Sequence, residues 1–175
     1  NRTGTLNIPG AISGACPVVI NGSATVTLGG VNTYSGTTSV NGGRLDLTGS
    51  LTSDVTIASG AGIGGESSTT GTLIFAGNNQ LYFDPSTAGS LTANSVNATA
   101  GTVTLNATAA AAGTGIVVLD APGGITGPIS NFVFTGRGTP YFNGTNTKLL
   151  FDFAPGNLKW KGQDPTNPTF WDANT

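Results

Sequence analysis

Apolar residues recur at every second position in short runs, and each run stops at a corner rich in glycine, asparagine or proline. Leu6 and Ile8 precede Pro9-Gly10, Val18 and Ile20 precede Asn21-Gly22, and Val26 and Leu28 lead to Gly29-Gly30. Thr38 and Val40 precede Asn41-Gly42-Gly43, followed by Leu45 and Leu47, then by Val55 and Ile57. A period of two places each such pair on one face of a strand, so Arg44 and Asp46 point opposite to Leu45 and Leu47. Later runs are centred on Leu73 to Phe75, Leu81 to Phe83, Leu91, Val103 to Leu105 and Ile116 to Leu119. Helix signals are almost absent: the alanine run from Ala107 to Ala112 is too short to nucleate and reads as a loop or a single turn.

Strands this short bury little unless they stack. Apolar residues recur at offsets of 17 (Val40 to Ile57), 16 (Ile57 to Leu73), 18 (Leu73 to Leu91), 14 (Leu91 to Leu105) and 14 (Leu105 to Leu119). A drifting but persistent period of this size predicts a solenoid rather than a globule. The expected inward stack comprises Val40, Leu45, Val55, Ile57, Leu73, Leu91, Val103, Leu105, Val117, Leu119, Phe132, Phe134, Leu149 and Phe151. Eight or nine coils are expected; at about 4.8 Å each they make a rod of about 40 Å. Asn143-Gly144 is a tight-turn signal ahead of Leu149, Phe151 and Phe153. Aromatics concentrate there, which predicts wider coils or a closing cap.

The stretch from Leu28 to Leu47 carries a resemblance. Gly30, Asn32, Tyr34, Gly36, Thr38, Val40, Gly43 and Leu45 fill a G-x-N-x-Y-x-G-x-T-x-[VI]-x-x-G-x-L run. This pattern resembles the autotransporter-associated β-strand repeat of large bacterial surface proteins. The segment VTIASGAGIGG, from Val55 to Gly65, looks like its continuation. The resemblance implies an all-β, right-handed parallel β-helix, exported and displayed at the bacterial cell surface or released. Residues 1–157 are assigned to that β-helix, and residues 158–175 to an extended or atypical Trp-containing tail. The tail resembles the W-x-G...x-W-D opening of a further unit in tandem arrays of the same family.

Composition narrows the chemistry. Among 175 residues only 8% are charged and none is histidine, yet 37% are hydrophobic, too many for a disordered chain. A net charge of -2, with six scattered basic residues, gives no footprint for nucleic acid. No apolar run reaches the length of a membrane span. Asn1 in place of an initiator Met reads as a processed or excised piece, with any export signal upstream. Cys16 has no partner in the chain, and its expected place is buried beside Pro17 and Val18.

Without histidine there is no Ser-His-Asp arrangement and no imidazole metal site. The carboxylates Asp46, Asp54, Glu66, Asp84, Asp120, Asp152, Asp164 and Asp172 are scattered almost singly, which argues against a paired-acid glycosidase. Tyr34 and Tyr82 are candidate sugar-stacking aromatics, although strand aromatics more often serve as core or ladder. No catalytic, cofactor or metal residue is assigned. The expectation is a non-enzymatic extracellular structural or adhesive module. Its partners are further copies of itself, in a head-to-tail homopolymer, or a host or matrix surface. The expected assembly residues are Trp160, Phe170 and Trp171 in the tail and Leu6 and Ile8 in the first strand. The alternatives are a passive spacer in a giant passenger and a carbohydrate-binding or carbohydrate-cleaving β-helix. A shallow groove lined by acids and aromatics would mark the last.

Overall fold

A computed structural model of the chain describes residues 4–87, 90–109, 113–153, 158–160 and 171–173, with the backbone alone for the last two segments. The first strands are β1 (Thr5–Ile8), β2 (Val18–Ile20), β3 (Thr25–Leu28), β4 (Val31–Asn32), β5 (Thr38–Val40), β6 (Arg44–Leu47) and β7 (Ser50–Leu51). There follow β8 (Val55–Ala58), β9 (Gly62–Gly65), β10 (Ser68–Ala76), β11 (Asn79–Phe83), β12 (Leu91–Ala100), β13 (Val103–Ala107) and β14 (Gly113–Asp120). The last are β15 (Ile125–Thr126), β16 (Phe132–Val133), β17 (Thr139–Phe142), β18 (Lys148–Phe153), β19 (Leu158–Trp160) and β20 (Trp171–Ala173). No α-helix occurs among the described residues.

The chain alternates between two sheets, and each return adds a parallel neighbour, so the architecture is a parallel β-solenoid. One sheet runs β1-β3-β6-β9-β11-β13-β16 and is parallel throughout. The other runs β2-β5-β8-β10-β12-β14 in parallel, then adds β18 and β17 antiparallel. Seven rungs in the first sheet make six steps of about 4.8 Å, or about 29 Å, shorter than the expected rod because later coils are longer. The coil is 19 residues from Thr25 to Arg44 and 18 from Arg44 to Gly62, but 24 from Asn79 to Val103 and 29 from Val103 to Phe132.

Side chains of the same type stack rung upon rung. In the first sheet Val26, Leu45, Ile63, Leu81 and Leu105 form one column. Facing it, Ile20, Val40, Ile57 and Phe75 form another. Each fully buried Leu or Ile contributes about 2 kcal/mol of transfer free energy, so the lumen is the main source of stability. Of the expected inward set, all are buried except Val117 and Phe134, which are half-buried. A register break in β14 between Val117 and Leu119 turns Val118 inward beside Leu119.

Of the five expected offsets only Val40 to Ile57 is a direct stack; the other four dissolve in the register. Ile57 stacks on Phe75, not on Leu73, which lies against Val55 and Val96. Leu91 stacks directly on Leu119, while Leu105 belongs to the opposite sheet. The 14-residue steps are therefore half-coils, each crossing the lumen from one sheet to the other.

The repeat-like stretch has a physical reading residue by residue. Asn32 is buried, its side chain accepting from the Ile12 N–H at 3.0 Å and donating to the Gly30 and Ser50 carbonyls at 2.8 and 3.1 Å. It ties three successive coils together. Tyr34 is buried too, and so is no sugar platform; its hydroxyl meets Thr38 Oγ1 at 2.6 Å, and Thr38 in turn meets Ser53 Oγ at 2.9 Å. Gly43 has φ of +65°, and a Cβ there would sit 2.2 Å from the Ala24 carbonyl oxygen, so both conformation and space demand glycine. Cys16 is exposed rather than buried, because it sits on a corner of the first coil, ahead of β2.

At the far end the second sheet is closed by a hairpin, while β16 stays the edge of the first sheet. β17 and β18 form an antiparallel hairpin whose loop is held by Asn143, which accepts from the Thr147 and Lys148 N–H groups at 2.8 and 2.9 Å. The hairpin delivers Phe142, Phe151 and Phe153 against Phe83, Phe132 and Phe134, with Phe151 lying 4.6 Å from both Phe134 and Phe153. β19 and β20 pair antiparallel with each other, in a sheet of their own.

Candidate functional site

The residues expected to mediate assembly fall in two places. Leu6 and Ile8 lie on β1, the edge strand of its sheet; Leu6 is 36% exposed, and Ile8 packs partly against the core. With Val18, Ile20, Val26 and Leu28 they line an apolar mouth of about 250 Å³. β2 is likewise an edge strand, so the first coil offers unpaired main-chain groups on both sheets around an apolar opening. No described strand pairs with the outer edge of β1 or of β2. Trp160 and Trp171 stand opposite each other in the β19–β20 pair, and Phe170 lies outside the described residues.

A second feature escaped the sequence reading. On the outer face of the seven-stranded sheet, Arg44 is level with Gly62, and Asp46 with Gly64. Gln80 pairs with Gly62 and Leu81 with Ile63, which brings Tyr82 level with Gly64 from the other side. Two outward glycines on β9 thus leave a notch in a polar ladder, and longer side chains lean into it from both neighbouring rungs. A Cβ on Gly62 would lie 2.8 Å from the Tyr82 ring, and one on Gly64 would lie 3.0 Å from both Arg44 and Asp46. Within the notch Arg44 Nε donates to Asp46 Oδ1 at 2.5 Å, and its guanidinium lies 3.9 Å from the centroid of Tyr82. Stacking and ion pair together fix Arg44 more firmly than either alone.

The notch opens into a trough of about 400 Å³ that follows the solenoid axis from Thr27 to Thr108. Glu66 and Asp84 line it beside Asp46. Glu66 accepts a hydrogen bond from the Thr87 hydroxyl. Hydrogen bonds from the Ser86 hydroxyl and then the Ser86 N–H hold the Asp84 carboxyl below its ordinary value of 3.8, so it is anionic at neutral pH. Three carboxylates that look solitary in the sequence thereby occupy successive rungs. Glu66 and Asp84, 18 residues apart, are one coil apart by the local register, the signal that would have paired them, whereas Asp46 is level with Gly64 and lies two positions along the strand from that column. The remaining described acids stay apart: Asp54 accepts from the Thr72 N–H, Asp120 pairs with Lys148, and Asp152 accepts from the Gly115 N–H and the Tyr141 hydroxyl. Asp164 lies outside the described residues.

No group of three or more metal-ligating side chains is gathered among the described residues. No helix is long and apolar enough to cross a membrane. Compared with protein-family models, with curated proteins and with solved structures, the chain finds no match.

Proposed function

We propose that this chain is a non-enzymatic structural module of an extracellular or cell-surface protein, of the kind its resemblance to the autotransporter-associated repeat implies, and that it joins further copies end to end. The observation that carries this reading is the difference between its two ends. One is plugged by phenylalanines under an antiparallel hairpin; the other presents an apolar mouth ringed by the unpaired edges of β1 and β2.

An open rung is a template for another strand, and the hydrogen bonds it lacks are the same ones that hold every inner rung. The two-stranded unit bearing Trp160 and Trp171 suits that role, with main-chain pairing for affinity and indole rings as anchors. A contact between a tail and a first coil is heterologous, so unless its rotation closes a ring it propagates into a filament.

Sedimentation velocity over a range of concentrations, under reducing conditions because Cys16 is exposed, tests the reading. The full chain should associate with rising concentration, while a chain lacking residues 158–175 and a Leu6→Asp variant should remain folded monomers. If all three sediment as monomers throughout, end-to-end assembly is wrong and the chain is a spacer.

A further inference from the structure

We propose that Asn21, at the corner of the first coil, is a site of self-modification. Attack by the Gly22 main-chain nitrogen expels its side-chain amide as ammonia and leaves an aspartate or isoaspartate on the rim of the open mouth. The reaction needs only this chain and water, so the inference goes beyond end-to-end assembly and does not depend on it.

The sequence holds three Asn-Gly steps, at Asn21, Asn41 and Asn143, and in each the glycine has no Cβ to shield its nitrogen. The Gly22, Gly42 and Gly144 N–H groups make no backbone hydrogen bond among the described residues, so the nucleophile is free at all three corners. What differs is the side-chain amide under attack. Asn143 is clamped: its Nδ2 donates to the Thr145 and Thr147 hydroxyls at 3.0 and 2.9 Å, and its Oδ1 accepts from the Thr147 and Lys148 N–H groups at 2.8 and 2.9 Å. Turning that amide toward Gly144 breaks this set of bonds. Asn21 is exposed, and its side chain makes a single hydrogen bond, accepting at Oδ1 from Asn41 Nδ2 at 3.0 Å.

That bond assists the chemistry. The Gly22 nitrogen gives its proton to hydroxide and bonds to Asn21 Cγ, while the electron pair of the carbonyl moves onto Oδ1. Negative charge thus develops where the Asn41 N–H already points, and the neighbouring coil supplies an oxyanion donor. The intermediate collapses as the Cγ–Nδ2 bond breaks, and the nitrogen takes a proton from water and leaves as ammonia. Water then opens the cyclic imide. Breaking the bond from the Gly22 nitrogen to Cγ gives aspartate; breaking its bond to the main-chain carbonyl carbon gives isoaspartate. Asn41 donates in this pair and has no such donor on its own Oδ1 among the described residues, so its corner is the slower of the two.

The product alters the open end. Asn21 lines the apolar mouth together with Leu6, Val18 and Val19. A carboxylate there charges a surface that a second copy would have to bury, and an unpaired buried charge is costly. An isoaspartate also adds a methylene to the main chain between β2 and β3. This bearing on docking rests on the end-to-end reading; the conversion itself does not.

The test holds the folded full chain at mildly alkaline pH and physiological temperature, then digests samples over time. Mass spectrometry follows positions 21, 41 and 143, with aspartate and isoaspartate peptides resolved. The urea-unfolded chain is the reference, in which the three sites should convert at similar rates. In the folded chain Asn21 should convert about tenfold faster than Asn143, and also faster than Asn41. Asn41→Ala should slow conversion at position 21 about threefold, whereas loss of a mere restraint would speed it. Asn21→Gln, whose longer amide must close a larger ring, should keep its amide. The proposal is overturned if Asn41 or Asn143 converts as fast as Asn21 in the folded chain, or if Asn41→Ala leaves the rate at position 21 unchanged or raises it. In sedimentation velocity the converted chain should associate more weakly than the fresh one, and equal association of both overturns the bearing on docking. A fresh chain that does not associate overturns the end-to-end reading instead, while the conversion rates still decide the modification.

Discussion

At the scale of single residues, neighbouring positions in β6 have opposite fates. Leu45 is fully buried between Val26 and Ile63, whereas Asp46 is partly exposed and holds Arg44 at 2.5 Å. Leu45→Asp places a charge in a lumen with no counter-ion and should cost about 4 kcal/mol or more. Asp46, as an outward carboxylate, would tolerate replacement by Asn at little cost if it were unpaired. Its ion pair with Arg44 raises the expected cost to about 1 kcal/mol, the upper end for a pair of this exposure. Urea denaturation of the two variants checks both values, and equal losses would mean that the two faces have been confused. Asn79 belongs to the same scale: its amide donates to the Ile57 and Ala58 carbonyls, while its own Oδ1 is buried without a partner among the protein atoms. Polarity is thus admitted to the lumen only where it ties one coil to the next.

At the scale of elements, the β17–β18 hairpin is what stops the solenoid. Parallel stacking alone would leave β14 as an edge; the antiparallel return of β18 pairs it and turns Leu149 and Phe151 into the lumen. Phe151→Ala removes contacts with Phe83, Phe134 and Phe153 and should cost about 3 to 5 kcal/mol, read as a lowered thermal midpoint. The alternating run around Leu149 and the Asn143-Gly144 signal made this hairpin legible in the sequence, as period two made β5, β6 and β8 legible. The order of stacking was less so. A solenoid's contacts depend on coil length, and once coils lengthen from 18 residues to 24 and 29, an offset no longer tells whether two apolar residues share a sheet or face each other across the lumen. Leu105 and Leu119 lie on opposite sheets for this reason. The trough was hidden by the same fact, because Glu66 and Asp84 become neighbours only when the local coil length is known. Gly62 and Gly64 lie within a strand rather than at a corner, and their role is to leave room for Arg44 and Tyr82.

At the scale of the whole molecule, a solenoid is a one-dimensional stack in which each rung is held chiefly by its neighbours. Inner rungs have two neighbours and the hairpin pairs β14, whereas β1, β2 and β16 each have a single parallel partner; of these β16 is packed through Phe132 against Phe142 of the hairpin, while β1 and β2 are the strands of the open first coil. Local opening should therefore be easiest at the first coil, with free energies rising inward toward the global value. Hydrogen exchange should find the lowest protection from Thr5 to Ile20 and the highest from Leu45 to Phe83. The profile also bears on assembly. If a second copy docks on the open rung, the amides of β1 and β2 gain partners, and their protection should rise with protein concentration while that of β9 and β11 stays constant. A spacer gives the same gradient with no concentration dependence. Uniform protection from β1 to β18 at all concentrations would contradict the stack picture itself, since it would require the uncovered rung to be as firmly held as one covered on both sides.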